Sequence, residues 1–441
     1  MSSLSHLHDH PEEFTPDGEH GAHDVAPGDI AVGVVIGRAS EYFDFFVYGI
    51  ASVLVFPQLF FPFASALDAQ LWSFAVFSLA FVARPFGTAI SMAIQRRWGL
   101  TTKLTGALFL LGTCTVTIAF LQGYAAQGEQ AIVLLVLLRI GQGLALGGSW
   151  DGLPSLLAMS APQGRRGWYA MLGQLGAPIG FTIACALFVF LNSNLSHEDF
   201  FSWGWRYPFF VAFAINVVAL FARLRMVVTP EYAELAEKRE LEPVSTRELV
   251  RAQGGNLLIG AFAALASFAL FHIVTVFPLS WLHLFSQQSV NQILGFQVFG
   301  GFLIAGGIIA SGYIADLFGR RRTLGTLATL IAVYSGFAPT LLKGGPLGED
   351  LFILLGCVLL GLSYGQSSGS VTSNFLPKYR YVGAALTADM AWLVGAAFAP
   401  LVALGLSAKF GLGFLSVYLL SGAGATLLAL RLNRALESSK D

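Results

Sequence analysis

The chain has 441 residues, of which 55% are hydrophobic and 12% charged, with a mean hydropathy of +0.67 and a formal net charge of -1. Soluble domains carry roughly 25% charged residues, so this composition excludes a soluble globular protein and indicates a polytopic membrane protein. The net charge carries no argument for nucleic acid, and no such partner is expected. Three cysteines, Cys114, Cys185 and Cys357, lie inside apolar stretches without CxxC spacing, which supports neither a disulfide framework nor a zinc site.

Residues 1–29 are polar and hold five histidines, His6, His8, His10, His20 and His23. No basic stretch leads into a short apolar core and a small-residue cleavage site, so the segment reads as a solvated tail and not as a signal peptide. The cluster His6, His8 and His10 has metal-binding chemistry, but no predicted fold fixes its geometry, and no metal site or cofactor is expected.

From residue 30 onward, twelve apolar runs reach the roughly 20 residues that a helix needs to cross the hydrocarbon core. Their cores are 31–58, 70–94, 103–123, 131–159, 167–191, 206–228, 256–285, 291–315, 323–343, 350–374, 381–407 and 411–432. An all-α membrane fold of twelve crossings is therefore predicted.

The first run holds Arg38, Glu41 and Asp44 within otherwise apolar sequence. Charges at bilayer depth cost a few kcal/mol, so these should face a partner or a water-filled cavity. Their spacing places them near one stripe, with Tyr48 a turn later. Further along, Arg84, Arg139, Asp151, Arg206 and Asp389 are also intramembrane, with His272 as a titratable addition. Most are expected to converge on one cavity. Arg206 follows Trp203 and Trp205 and reads as an interfacial anchor. A lone His272 on an apolar face reads as a satisfied core group.

Basic residues segregate into alternate connections. Arg96, Arg97 and Lys103, then Arg165 and Arg166, Arg320 to Arg322, and Lys378 with Arg380 sit on one side, while only Lys343 and Lys409 occupy the other. By the positive-inside rule, the basic connections and both termini are expected in the cytoplasm. The longest connection, 229–255, divides the chain into halves at 30–228 and 256–434, with a short tail at 435–441. Gly87, Gly99 and Leu104 recur 220 positions later as Gly307, Gly319 and Leu324. That internal repeat predicts two pseudo-symmetric six-helix halves with a binding site at their interface. Glycines four apart, Gly143 with Gly147 and Gly361 with Gly365, suit close helix crossings.

The loop from Gly312 to Arg322, with Asp316, Gly319 and Arg320 inside it, resembles the signature loop of the major facilitator superfamily. The resemblance implies a conformational latch at Gly312, Asp316, Gly319 and Arg320, with Asp316 facing the arginines or the next helix N-terminus. The equivalent first-half loop has Met92 and Arg96 in place of the glycine and aspartate. Glu41 to Phe45, Ala83 to Gly87, Arg139 to Gly143, Gly147 to Trp150, Trp203 to Phe209 and Arg380 to Gly383 are similar to the metabolite:proton symporters of that superfamily, which carry dicarboxylates, shikimate, citrate and betaines. The family's usual glutamate before the fourth-span tryptophan is replaced by Ser149, and Asp151 stands where a glycine is usual.

The resemblance implies a carrier and no enzyme: a monomer that imports a small organic acid, an anionic carboxylate, together with protons. Asp44, Glu41 and Asp151 are the candidates for proton coupling. Arg84, Arg38, Tyr48, Arg139, Gln174, Tyr364, Asn374, Asp389 and Trp392 are the candidates for substrate contact. A guanidinium on the second span suits a carboxylate bidentately, or a pairing with Asp44. Two other readings stay open: a proton-driven exporter, suggested by Gly173 to Gly180, and a transport-deficient sensor, suggested by the degenerate first-half loop. No GxxxxGK[ST] stretch supports a pump driven by ATP.

Overall fold

A computed structural model describes residues 27–149, 164–227, 242–368 and 375–433; Asp151, Asn374 and the histidine-bearing tail lie outside the described residues. The described chain is a bundle of twelve membrane crossings in two pseudo-symmetric halves. The first is Pro27–Leu54. The second and third are one continuous run, Ala66–Phe120, broken at Gly99, where φ is 84°. Glu129–Gly148 is the fourth, Arg166–Leu172 with Gly176–Asn194 the fifth, and Tyr207–Val227 the sixth.

The second half opens with Thr246–Ala263, a helix that starts inside the stretch expected to be linker. Leu265–Thr275 with Phe277–Phe285 makes the seventh crossing, followed by Val290–Phe318, Arg320–Lys343 and Gly345–Tyr364. The eleventh is assembled from Arg380–Ala391, a π turn at Trp392–Ala396 and Ala399–Phe410, and the twelfth is Gly413–Leu432. Ten helical runs have the length and apolarity of membrane spans. Splitting Ala66–Phe120 at Gly99 adds one. The first crossing is left out of that set because Arg38, Glu41 and Asp44 share every bilayer-length window in it.

Local chemistry fixes the ends. The Ser65 hydroxyl caps the second crossing by accepting from the Asp68 amide, and Ser289 with Gln292 forms a reciprocal capping box on the eighth. Gly99 and Gly319, the repeat pair, both have φ near +80°, which side-chain-bearing residues rarely adopt. Each makes the tight turn between two crossings of its half.

The halves repeat their packing as well. A Cβ on Gly87 would collide with the Leu144 carbonyl, one on Gly143 with Ala80, and one on Gly147 with Arg84, so the second and fourth crossings touch backbone to backbone. In the second half, Gly307, Gly361 and Gly365 do the same between the eighth and tenth. Large apolar side chains such as Phe109, Phe120 and Leu317 lie exposed on the outside, as a lipid-facing surface requires. The seventh crossing is almost wholly buried, at the centre of the bundle.

Candidate transport site

The first crossing splits its polar residues between two environments. Six residues of α-helix turn through 600°, which leaves Asp44 about 120° from Arg38, so the expected single stripe does not form. Arg38, Glu41, Tyr42 and Phe45 face a cavity between the halves. Asp44 and Tyr48 face inward to the first half.

Asp44 is buried and accepts from Thr115 Oγ1 at 2.7 Å, Asn216 Nδ2 at 2.6 Å and Gln142 Nε2 at 3.4 Å. Asn216 in turn accepts from Ser40 at 3.0 Å. Arg139, also fully buried, donates to Gln142 Oε1 at 3.0 Å and to the Phe77 carbonyl at 3.2 Å. Its guanidinium lies 3.7 Å from the centre of the Tyr48 ring, a cation–π contact in a desolvated place. Asp44 and Arg139 therefore communicate through Gln142. Tyr48 and Arg139, expected to touch substrate, are walled into this core, Tyr48 between Phe56, Phe77 and the Arg139 guanidinium, and neither lines the cavity.

The cavity has two adjoining lobes that share Arg38, Tyr42, Arg84 and Trp392, one of about 410 Å³ beside Glu41 and Phe45 and one of about 590 Å³, open parts included. Arg38, Tyr42, Arg84 and Gln174 line the larger lobe from the first half, and Phe268, Tyr364, Ser367, Thr387 and Trp392 from the second. Arg38 Nη1 lies 2.9 Å from Glu41 Oε2 on its own helix. Arg84 does not pair with Asp44: its Nε lies 2.7 Å from Asp389 Oδ1 on the eleventh crossing, so the ion pair joins the two halves. Thr88 Oγ1 lies 2.5 Å from the other Asp389 oxygen and 3.2 Å from the Gly147 carbonyl. The Tyr42 and Tyr364 hydroxyls meet in a short hydrogen bond, again across the halves. Away from the basic loops the cavity ends in a cluster of rings from Phe45, Phe81, Phe271, His272 and Trp392.

At the end that carries the basic loops, Asp316 accepts from the Gly167 and Trp168 amides at 2.6 and 3.1 Å. It thus caps the start of the fifth crossing, in the opposite half, and not the helix that follows it. Arg320 reaches the Arg166 carbonyl at 3.3 Å, and Gly312 leaves room for Trp168 and Met171 to pass. The degenerate first-half loop has a contact of its own, since Lys103 Nζ donates to Gln95 Oε1 at 3.1 Å and to Tyr381 Oη at 2.9 Å. Arg206 caps the third crossing, donating to the carbonyls of Ala119 and Leu121. At the far end Asn192 donates to Asn291 at 2.9 Å and Asn291 to Ser193 at 3.0 Å. Cross-half contacts thus close on the cavity from both ends.

Among the described residues no group of three or more His, Cys, Asp or Glu side chains forms a metal site. Sequence reasoning did not single out Thr88, Thr115 or Asn216 as site residues. The signal is weak, because a serine, threonine or asparagine in an apolar span usually bonds its own helix.

The family model described as Major Facilitator Superfamily matches residues 34–400. The chain belongs to this superfamily. Among curated relatives, the inner membrane metabolite transport protein YhjE of Escherichia coli (strain K12) is 35% identical over 438 residues, covering 98% of both chains. The shikimate transporter of the same organism is 30% identical, over 89% of this chain and 91% of its own. A proline/betaine transporter of Salmonella typhimurium is 25% identical over 81% and 74%. Among solved structures, the xylose transporter XylE of E. coli in a partially occluded inward open conformation aligns with a TM-score of 0.69 at 17% identity, over 92% of this chain and 96% of its own. The superfamily member described here is a multi-pass membrane transporter of a small molecule and not an enzyme.

Proposed function

We propose that the protein is a proton-coupled secondary carrier that brings a small carboxylate-bearing metabolite across the bacterial inner membrane by alternating access, with both termini in the cytoplasm. The observation that carries the reading is the Arg84–Asp389 pair, in which a guanidinium that lines the cavity lies 2.7 Å from a buried carboxylate of the opposite half. A substrate carboxylate can take the arginine fork from Asp389, since the two are chemically equivalent acceptors. Binding then undoes a fastener between the halves, and the binding free energy drives the rearrangement. Arg38, Gln174, Tyr42 and Tyr364 offer donors around the same space. The relatives named as metabolite and shikimate transporters support this substrate class, and the segregated basic loops support the orientation.

Asp44 carries the proton in this reading, with Glu41 on the neighbouring face tuning it. Its described partners, Thr115, Asn216 and Gln142, are all neutral, so it can gain a proton without breaking a direct ion pair. Purified protein is first screened by thermal shift against mono-, di- and tricarboxylic acids, because a ligand of the folded state raises its apparent stability. In proteoliposomes, an inwardly directed proton gradient should then concentrate the hit inside. Asp44→Asn should keep exchange of labelled for unlabelled substrate and lose that accumulation. A native protein that expels the substrate under the same gradient would overturn import, and an Asp44→Asn variant that still concentrates it would overturn the proton assignment.

A further inference from the structure

The eleventh crossing is interrupted where it faces the cavity, and the interruption has a cause in sequence. Pro400 has no amide hydrogen, so the Ala396 carbonyl loses its ordinary helical donor. The chain responds with a π turn over Trp392–Ala396, closed by the Ala397 amide on the Trp392 carbonyl at 2.8 Å. Three successive carbonyls are then met from three other helices. Tyr418 Oη donates to Gly395 at 2.6 Å, His272 Nδ1 lies 2.7 Å from the Ala396 oxygen, and Ser78 Oγ of the opposite half lies 2.7 Å from that of Ala397. A carbonyl only accepts, so His272 carries its hydrogen on Nδ1. Its ring is fully buried, stacked on Phe45 at 5.4 Å and beside Trp392 at 5.8 Å, while Nε2 meets no partner among the described residues.

We propose that His272 is a positioning residue of the carrier: its Nδ1–H holds the carbonyl that Pro400 orphans and so fixes the π turn that sets Trp392 and the Arg380–Ala391 segment against the cavity. The inference rests on that cavity being the transport site, but not on which solute or ion is moved. Asp389 lies one turn before the bulge and Ala397 just beyond it, so the second and eleventh crossings are fastened on both sides of the turn. Losing the His272 donor frees the turn between those fasteners.

The test uses full-length protein in lipid nanodiscs and reads the rate at which a small water-soluble maleimide labels Ala388→Cys, a cavity position on the segment before the turn. The native cysteines are buried, so the new thiol dominates the signal. His272→Phe keeps a flat ring without the donor and should raise the labelling rate roughly tenfold, as expected for one lost bond to a buried carbonyl. Ser367→Cys, a cavity position just beyond the tenth crossing, should not change. His272→Asn places an amide N–H at the same distance from Cβ and should restore the parent rate. Pro400→Ala returns the missing backbone donor, so it should rescue His272→Phe. Parent-like labelling in His272→Phe, an Asn variant as fast as the Phe variant, or no rescue by Pro400→Ala would each overturn the assignment. If His272→Phe alone yields no folded protein, recovery of monodisperse protein by Pro400→Ala supports it and continued failure overturns it. Because no substrate enters the measurement, an unsuccessful carboxylate screen leaves it intact.

Discussion

Arg84 is paired with a carboxylate and still faces the cavity, and those two facts separate its contributions to stability and to binding. Removing one partner of a buried pair leaves the other charge uncompensated, at a cost of about 3–5 kcal/mol. Arg84→Ala should therefore lose uptake and also lower the thermal midpoint. Arg84→Lys keeps a positive charge near Asp389 but not the planar fork, so its midpoint should stay near that of the native protein while half-maximal uptake needs at least about tenfold more substrate. Transport kinetics and differential scanning fluorimetry on the same preparations check this. Full activity with lysine would mean that the fork is not what the position supplies.

Single residues were also where the sequence was least legible. It marked Arg38, Glu41, Asp44, Arg84 and Asp389 as exceptional, because a charge in an apolar run announces itself. It could not say who faces whom, since Arg84 and Asp389 are separated by 305 positions and no local spacing relates them. The stripe drawn through Arg38, Asp44 and Tyr48 missed the drift, about 120° for Asp44 and about 80° for Tyr48, by which the latter two turn into the first-half core. Asp44's partners Thr115 and Asn216 lie on the third and sixth crossings, so only their packing identifies them.

Helices, in contrast, were readable as elements, because bilayer length and glycine spacing are local properties. The Gly143–Gly147 and Gly361–Gly365 steps predicted from spacing are the crossing points found in each half. What escaped was the interior of the eleventh crossing: a π turn has no periodic signature, and Pro400 alone marks its place. A close crossing makes a sharp forecast. Gly87→Ala and Gly361→Ala each force a methyl against a backbone carbonyl that cannot yield, so overpacking of about 1–3 kcal/mol or more is expected. Gly106→Ala, with nothing near the added methyl, gains helix propensity and should be neutral or slightly stabilising. Size-exclusion profiles of detergent-solubilised protein after brief heating would rank the three, and equal survival of Gly87→Ala and Gly106→Ala would contradict the crossing geometry.

At the scale of the whole molecule, a carrier needs its two ends to open in alternation, and each end has an identifiable bridge between the halves. At the basic end it is Asp316 on the Gly167 and Trp168 amides, with the Trp168 and Tyr313 rings 4.7 Å apart beside it. At the other it is Asn192, Ser193 and Asn291. The bridges differ in kind. The first places a negative charge on a helix N-terminus, and a charge-assisted bond contributes about 1.5–3 kcal/mol; the second is neutral and contributes about 0.5–1.5 kcal/mol. On these magnitudes the resting protein is predicted to favour a closed basic end. Asp316→Asn keeps the shape and removes the charge, so it should shift the balance about tenfold toward an open basic end. Two double-cysteine pairs read the shift. Trp168→Cys with Tyr313→Cys should cross-link more slowly with a short bifunctional reagent in the Asp316→Asn background. Asn192→Cys with Asn291→Cys should cross-link faster, because opening one end closes the other. If both pairs slowed together, the substitution would be loosening the bundle and not tipping it between two states, and Asp316 would be an ordinary helix cap.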